Sequence, residues 1–589
     1  MALPNTHTPI KAVSRVRLGY GVLLVIIAIF GVRLFYVQVI RYNHYKTAAL
    51  SDQLKQYEIP ATRGVIKASD NGQLVPIVLN QKLYTLYGDP SYIKNLDKTA
   101  NQLSAITGGT ATKYAALLKT KDTRYVVLAK KLTPEQKDKI IKLKLPGIGT
   151  VAQDYRTYPQ GTLAAQILGF VDDGGTGRYG LEEYFNKQLT GTPGSLKAIT
   201  DINGIPLASS PSNTEVPAKK GDDIVTTLDL AMQQQVETTL KKGVEQSKAS
   251  GGSAVIFDPK TGAVKAMANY PSYDPSQYFN VDNAQLFQNA AVSQPIEVGS
   301  TMKTLTTAAA LDQGVITPNT TYYDPSHWTV DQFNITNIEE DGGAGTKSIA
   351  DILNLSLNTG ATWELMQMGG GQINLKARTA WYDYMTNHYR LGKATGIEQG
   401  YEADGYIPTP KDNGAGINLT YANTAFGQAL TATPIQMAAA LGAVVNGGTY
   451  YQPTLIAQTI DSSGKVSNRA PKVLEKNAVS PAVTQAILPI LDYVVQKHNF
   501  YPGFDHSKYL VGGKTGTAQI AKPGGGYYDE LFNGTYAGVV GGDSAQYVIV
   551  VFIEKPTNAG YAGTAAAQPV FGSIAHMLID ESLVTPKTH

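Results

Sequence analysis

The chain has 589 residues, 43% of them apolar and 16% charged, which allows large cores in several domains and excludes a disordered chain. With 50 Lys and Arg against 47 Asp and Glu, the net charge is +3, and nothing points to nucleic acid. There are no cysteines, which excludes disulfides, thiolate catalysis and cysteine–zinc sites, and the eight histidines are scattered, so no metal site is expected.

Leu18 to Ile40 is apolar except for Arg33 and Gln38, about the length that crosses a bilayer. Lys11, Arg15 and Arg17 precede it and predict a cytoplasmic N-terminus, residues 1–17. A cleaved signal peptide is the rival reading; the apolar run is long for one and no clean A-x-A follows, so an uncleaved single-pass anchor at 18–40 is expected. Everything beyond it is then extracytoplasmic. Residues 41–57 read as a helix running off the anchor. From Ile59 an extended region begins, with strands and short helices alternating to about residue 215. Ser209–Thr214 is polar and carries Pro211, a linker signal, and the domain boundary is placed at 220/221.

Gly175-x-Gly177-x-x-Gly180 fits a dinucleotide fingerprint in this first domain. Asp172, Asp173, Glu182 and Glu183 flank it and would repel a pyrophosphate. The next strand also runs into Asp201-Ile202-Asn203-Gly204, a hairpin signal and not a crossover helix. No nucleotide site is expected.

Residues 221–589 form the second domain. Ile224–Leu228 reads as a strand and Leu230–Val244 as an amphipathic helix with Asp229 as N-cap. Ala254–Phe257 and Ala263–Ala268 form a hairpin around Lys260-Thr261-Gly262. Helices and polar loops fill 285–500. Strands return at Tyr509–Val511, Lys514–Ile520, Tyr536–Val540 and Tyr547–Ile553, and a helix closes the chain at Val570–Leu578. Strands flanking a helical middle predict an α+β fold, an antiparallel sheet with helices on its faces.

Within that frame, Ser300-Thr301-Met302-Lys303 places a serine and a lysine one helical turn apart on one face. If the site is buried the ammonium is costly, and neutral lysine can then act as a base for the serine hydroxyl. Ser356-Leu357-Asn358 and Lys514-Thr515-Gly516-Thr517 follow in order. A second S-x-x-K, Ser462 to Lys465, reads as a turn, and the second K-T-G at 260–262 lies in a hairpin loop before the serine motif.

Serine-x-x-lysine, serine-x-asparagine and lysine-threonine-glycine in this order form the penicillin-recognising acyl-transferase signature. From anchor to closing helix the chain resembles the class B penicillin-binding proteins, most like the division type. Arg63-Gly64, Tyr158-Pro159-Gln160-Gly161 and Gly180-Leu181-Glu182 match motifs of that family's elongated pedestal domain. Phe426-Gly427-Gln428 and Asn446-Gly447-Gly448 match the stretch between its second and third motifs. The departures are Val298 where proline is usual, Ala429 where glycine is usual, and Thr359-Gly360 after the middle motif.

The resemblance implies a peptidoglycan D,D-transpeptidase that β-lactams acylate and that needs no cofactor. Ser300 is the expected nucleophile and Lys303 its base; Ser356 relays the proton to the leaving amine, and Asn358 binds the substrate amide and Lys303. Lys514, Gly516 and either Thr515 or Thr517 hold the terminal carboxylate, and the backbone N–H groups of Ser300 and Thr517 form the oxyanion hole. It also implies a membrane-bound glycan polymerase and division proteins as partners, with the pedestal docking the polymerase. For Arg63 and Glu182 a docking role and a structural role stay open. An elongation-type transpeptidase, a β-lactamase or penicillin sensor, a D,D-carboxypeptidase and a non-catalytic wall-binding scaffold are the alternatives.

Overall fold

The computed structural model describes residues 11–46, 54–120, 123–199, 214–337, 343–411, 416–522, 526–558 and 560–588. The linker signal at 209–213 and the hairpin signal at 201–204 lie outside the described residues. The chain forms two compact units, Met1–Thr62 with Gly191–Lys220, and Arg63–Thr190 with Gly221–His589.

In the first unit Arg15–Ile40 is helical, with mean hydropathy 2.4 and no buried residue, which separates it from a core helix. Among the described residues it is the one helix long and apolar enough to cross a membrane. Among the described residues of the predicted helix over 41–57, 42–46 are helical. Leu54–Ile59 is instead a strand, because Gly194–Ile199 supplies an antiparallel partner that overrides local propensity.

In the second unit five strands form an antiparallel sheet, β1 (Gly251–Phe257), β2 (Val264–Tyr270), β3 (Leu510–Ala521), β4 (Tyr527–Gly541) and β5 (Ala545–Glu554). Their order is β2-β1-β5-β4-β3, so the early hairpin sits at one edge and the lysine-threonine-glycine strand at the other. The strands are buried on both faces and alternate with period two. Ala254, Ile256, Ile549 and Val551 pack with α1 (Leu230–Gln246) and, at the end of the chain, the helix Gln568–Asp580. Val255, Phe257, Val548 and Val550 face the larger core with Pro434–Val445, a helix buried along its whole length. As predicted, the Asp229 carboxylate caps α1, accepting from the Met232 N–H at 3.1 Å.

A second, seven-stranded sheet threads both halves of the sequence together. Asp223–Asp229 runs parallel to Ile66–Asp70 and antiparallel to Ile456–Ile460. Below it Glu182 is fully buried, its two oxygens gripped by Arg63 Nη2 and Arg156 Nε, each at 2.6 Å. Arg63 also donates to Asn186 and Thr190, and Arg156 to Gly64 O and Asn80. A carboxylate sealed in this way presents no docking surface, so the structural reading of Arg63 and Glu182 replaces the docking one. Glu182→Ala leaves two buried guanidinium groups without their counter-charge and is expected to cost about 3–5 kcal/mol. Chemical denaturation measures this; an unchanged midpoint would contradict it.

Backbone N–H groups of the Gly175–Gly180 loop are engaged within the protein: Gly175 donates to Asp172 O, Thr176 to the Asp172 carboxylate, Gly177 to Asn186 Oδ1 and Tyr179 to Glu183.

Candidate active site

Ser300 lies in a single 3-10 turn, Gly299–Thr301, that leads into α2 (Met302–Asp312). Two glycines fix that turn. Gly299 has φ +58° and its N–H donates to Gly427 O at 3.0 Å, while a Cβ on Gly427, at φ +87°, would come within 1.9 Å of Gly299 O. The turn is thereby clamped onto the Phe426–Gln428 loop. Ala429 takes φ +57°, the conformation that explains the glycine usual there, and its N–H is held by Glu297 at 3.0 Å. Glu297 also accepts from the Tyr527 hydroxyl of β4 at 2.8 Å.

Lys303, one turn beyond Ser300, is completely buried. Its Nζ lies 2.5 Å from Ser356 O, 2.8 Å from Asn358 Oδ1 and 3.2 Å from Ser356 Oγ. The two carbonyl oxygens can only accept, so a neutral amine gives each of them one hydrogen. Its lone pair is then free for a hydroxyl proton. Burial and the neighbouring Lys514 cation push the Lys303 pKa well down, against a smaller upward pull from Glu364. Ser356 reaches this place through a strained backbone, φ +57°, in the turn between the helix Ile349–Asn354 and α3 (Asn358–Met368). The Asn358 amide also donates to Thr336 O at 3.0 Å.

The third motif lies on β3, which runs unbroken from Leu510 to Ala521 where the sequence predicts two strands. Its glycines are packing sites: a Cβ on Gly512 would meet Leu491 Cβ at 2.8 Å, and one on Gly513 the Tyr536 ring at 2.5 Å. A Cβ on Gly516 would meet Thr535 Oγ1 at 2.2 Å, so Gly516 shapes the strand and has no side chain to offer a ligand. Lys514 is fully buried, its Nζ donating to Thr515 O and Oγ1 at 3.2 Å each, and burial pushes its pKa down to about 7. The Thr517 hydroxyl accepts from the Gly563 N–H at 2.9 Å and keeps its own hydrogen for a ligand.

Ser300, Ser356, Asn358, Lys514, Thr515 and Thr517 line one cavity of about 400 Å³. Lys303 sits beneath it. Phe426 and Gln428 of the Phe426-Gly427-Gln428 motif line the same cavity, as do Asn354, His498, Phe532 and Tyr561, which the motif reading misses. His498 and Tyr561 lie in loops with no spacing to flag them, and burial together with Lys514 pushes the His498 pKa down. Among the described residues no aspartate or glutamate lines the cavity. A serine with a buried amine of lowered pKa behind it, facing the Ser356, Thr515 and Thr517 hydroxyls and a second lysine, is equipped to be acylated by a ligand that bears a carboxylate.

The family model for the penicillin-binding protein transpeptidase domain matches residues 252–576, more than half of the chain. The chain belongs to the penicillin-binding transpeptidases. A second model, the penicillin-binding protein dimerisation domain, matches residues 58–226. The chain is similar to stage V sporulation protein D of Bacillus subtilis, 29% identical over 96% of this chain and 85% of the relative. It is also similar, at 29% over 77% of this chain and 71% of the relative, to the peptidoglycan D,D-transpeptidase FtsI of Escherichia coli. Among solved structures it resembles penicillin-binding protein 3 from Mycobacterium tuberculosis complexed with aztreonam. There the TM-score is 0.68 and the identity 25%, over 90% of this chain and 98% of that one. This penicillin-binding transpeptidase is therefore an acyl-transferring enzyme of peptidoglycan synthesis with an α+β catalytic fold.

Proposed function

We propose that the chain cross-links stem peptides of septal peptidoglycan through an acyl-enzyme on Ser300. The observation that carries this reading is the Lys303 amine, buried behind Ser300's turn and held by Ser356 and Asn358. Lys303 takes the Ser300 hydroxyl proton as Ser300 Oγ bonds to the carbonyl carbon between the two terminal D-alanines. The carbon–nitrogen bond then breaks, and the proton passes from Lys303 by way of Ser356 to the departing D-alanine amine. An amine of a neighbouring stem peptide attacks the ester, gives its proton back along the same route and restores the Ser300 hydroxyl. Asn358 orients the substrate amide. Lys514 with Thr515 or Thr517 receives the terminal carboxylate, and the Ser300 and Thr517 N–H groups polarise the carbonyl.

Residues 18–40 would anchor the chain with residues 1–17 in the cytoplasm, as Lys11, Arg15 and Arg17 favour. Residues 41–220 would serve as the pedestal and 221–589 as the catalytic domain outside the membrane. Through the pedestal the enzyme would meet a membrane-bound glycan polymerase and division proteins. The FtsI relative's name supports the D,D-transpeptidase part of this reading.

Supplied with a polymerised, stem-peptide-bearing substrate, the full-length protein is expected to release one D-alanine for each cross-link formed. Release without cross-links would make it a carboxypeptidase. Rapid nitrocefin turnover would make it a β-lactamase. A fluorescent fusion is expected at the septum; labelling along the side wall would assign it to elongation. Lys514→Ala is expected to slow penicillin acylation by about 10- to 100-fold, the worth of a charge-assisted hydrogen bond to a carboxylate. A loss as complete as that of a Lys303 variant would contradict a pure anchoring role.

A further inference from the structure

One ionisable group beneath the site is not used by this mechanism. Glu364 lies on α3, is fully buried, and among the described residues accepts from a single hydroxyl. That hydroxyl is Thr307, 2.9 Å and 3.1 Å from the two carboxylate oxygens. Thr307 is itself fully buried on α2, one turn beyond Lys303. A hydroxyl has one hydrogen to give, so an ionised Glu364 is poorly solvated from its own side. Burial accordingly pushes its pKa up to about 8, against the pull of Thr307 and of Lys303. A buried carboxyl with so little support is costly unless a positive charge forms nearby. The acylation step forms one on Lys303.

The other groups around Glu364 do not supply that charge. The strand Thr321–Asp324 brings the Tyr322 hydroxyl, whose pKa is raised by burial first, then by Asp324 and least by Glu364, and Asp324, which Thr359 caps at 2.6 Å. Asp312 on α2 is held by Ser480 N–H and the Tyr384 hydroxyl, and Asp351 on the helix Ile349–Asn354 by Ser348. On the helix Leu375–Asp383, Arg378 donates to Pro410 O and Asn418, Asp383 pairs with His388, and Lys376 is exposed. Tyr421 on the helix Ile417–Ala425 donates to Pro408 O, and His327 is exposed. Lys514 adds a second positive charge beside Lys303.

We propose that Glu364 is a positioning residue that acts through Lys303: its carboxylate is the counter-charge for the Lys303 ammonium that forms when Ser300 gives up its proton. The inference rests on Lys303 as the base. When Glu364 carries its proton it supplies no charge, and when ionised it raises the proton affinity of Lys303 and speeds attack by Ser300.

Glutamine mimics the protonated carboxyl in shape and charge. The ratio of acylation rate constants, wild type over Glu364→Gln, is therefore expected near one at acidic pH. It should rise to about tenfold as pH climbs through 8 and Glu364 ionises, the effect of one unit in Lys303 basicity. The measurement is the second-order rate of fluorescent-penicillin labelling of the full-length protein across that range. Glu364→Asp is expected to recover part of the rise. Thr307→Val removes the hydroxyl that steadies the carboxylate, moves the ionisation to higher pH, and is expected to show the same growing ratio; it stands in should Glu364→Gln not fold. A ratio that stays constant with pH in the folded variants overturns the proposal, because a merely structural loss would be pH-independent. Failure of wild-type penicillin to attach to Ser300 would instead overturn the reading of the base.

Discussion

Ser300→Ala is expected to abolish covalent penicillin labelling and leave the fold intact. Ser300 is partly buried in the lining of the cavity, and its side chain has no hydrogen bond that the fold depends on among the described residues. The turn that carries it is fixed by backbone contacts of Gly299 and Gly427, which alanine at 300 does not touch. Stability should stay within about 0.5 kcal/mol of wild type. The hydroxyl, in contrast, is the atom that must bond to the β-lactam carbonyl, so no slower route of the same kind remains. Labelling that survives the substitution with a normal melting curve would mean that the nucleophile lies elsewhere.

Lys303→Met is the second large loss. Methionine keeps most of the buried stem volume and removes the amine, which isolates the chemistry from the packing. Without the base, acylation should fall by roughly 10²–10⁴. Ser356 O and Asn358 Oδ1 lose their donor together, so a destabilisation of about 1–3 kcal/mol should accompany it. The pH dependence has a sign. The pKa of Lys303 is lowered, so wild-type acylation should rise on the acid side as pH climbs through it. Lys514, at about 7, loses its charge on the alkaline side and weakens carboxylate capture in the free enzyme. Lys303→Met should lose the acid limb and keep the alkaline one. An unchanged acid limb would assign it to another group.

The three motifs were legible because each is a local spacing on one element: a helical turn for Ser300 and Lys303, a turn into a helix for Ser356 and Asn358, a strand edge for Lys514 to Thr517. The sheet was legible for the same reason, since β1, β2 and β5 are apolar runs between turn signals. What the sequence hid is long-range. The strand Asp223–Asp229 finds one partner at Ile66–Asp70 and another at Ile456–Ile460, which no window reveals. The helix expected over 41–57 gives way to a strand for want of sight of Gly194–Ile199. Gly512 and Gly513 read as strand glycines that allow a close approach, but that the neighbours are Leu491 and the Tyr536 ring is visible only in the fold. Glu182 and Glu364 look like ordinary helix carboxylates until burial separates them from the rest. Arg63 and Glu182, 119 residues apart, become a pair only once folded.

The central claim is that this cavity acylates on Ser300. Peptide mass mapping of the full-length protein after reaction with a penicillin tests it most directly. The adduct mass is predicted on the peptide that contains Ser300, at one per chain. An adduct on Ser356, or on Ser462 in the second serine-x-x-lysine, or none at all on folded protein, would contradict it.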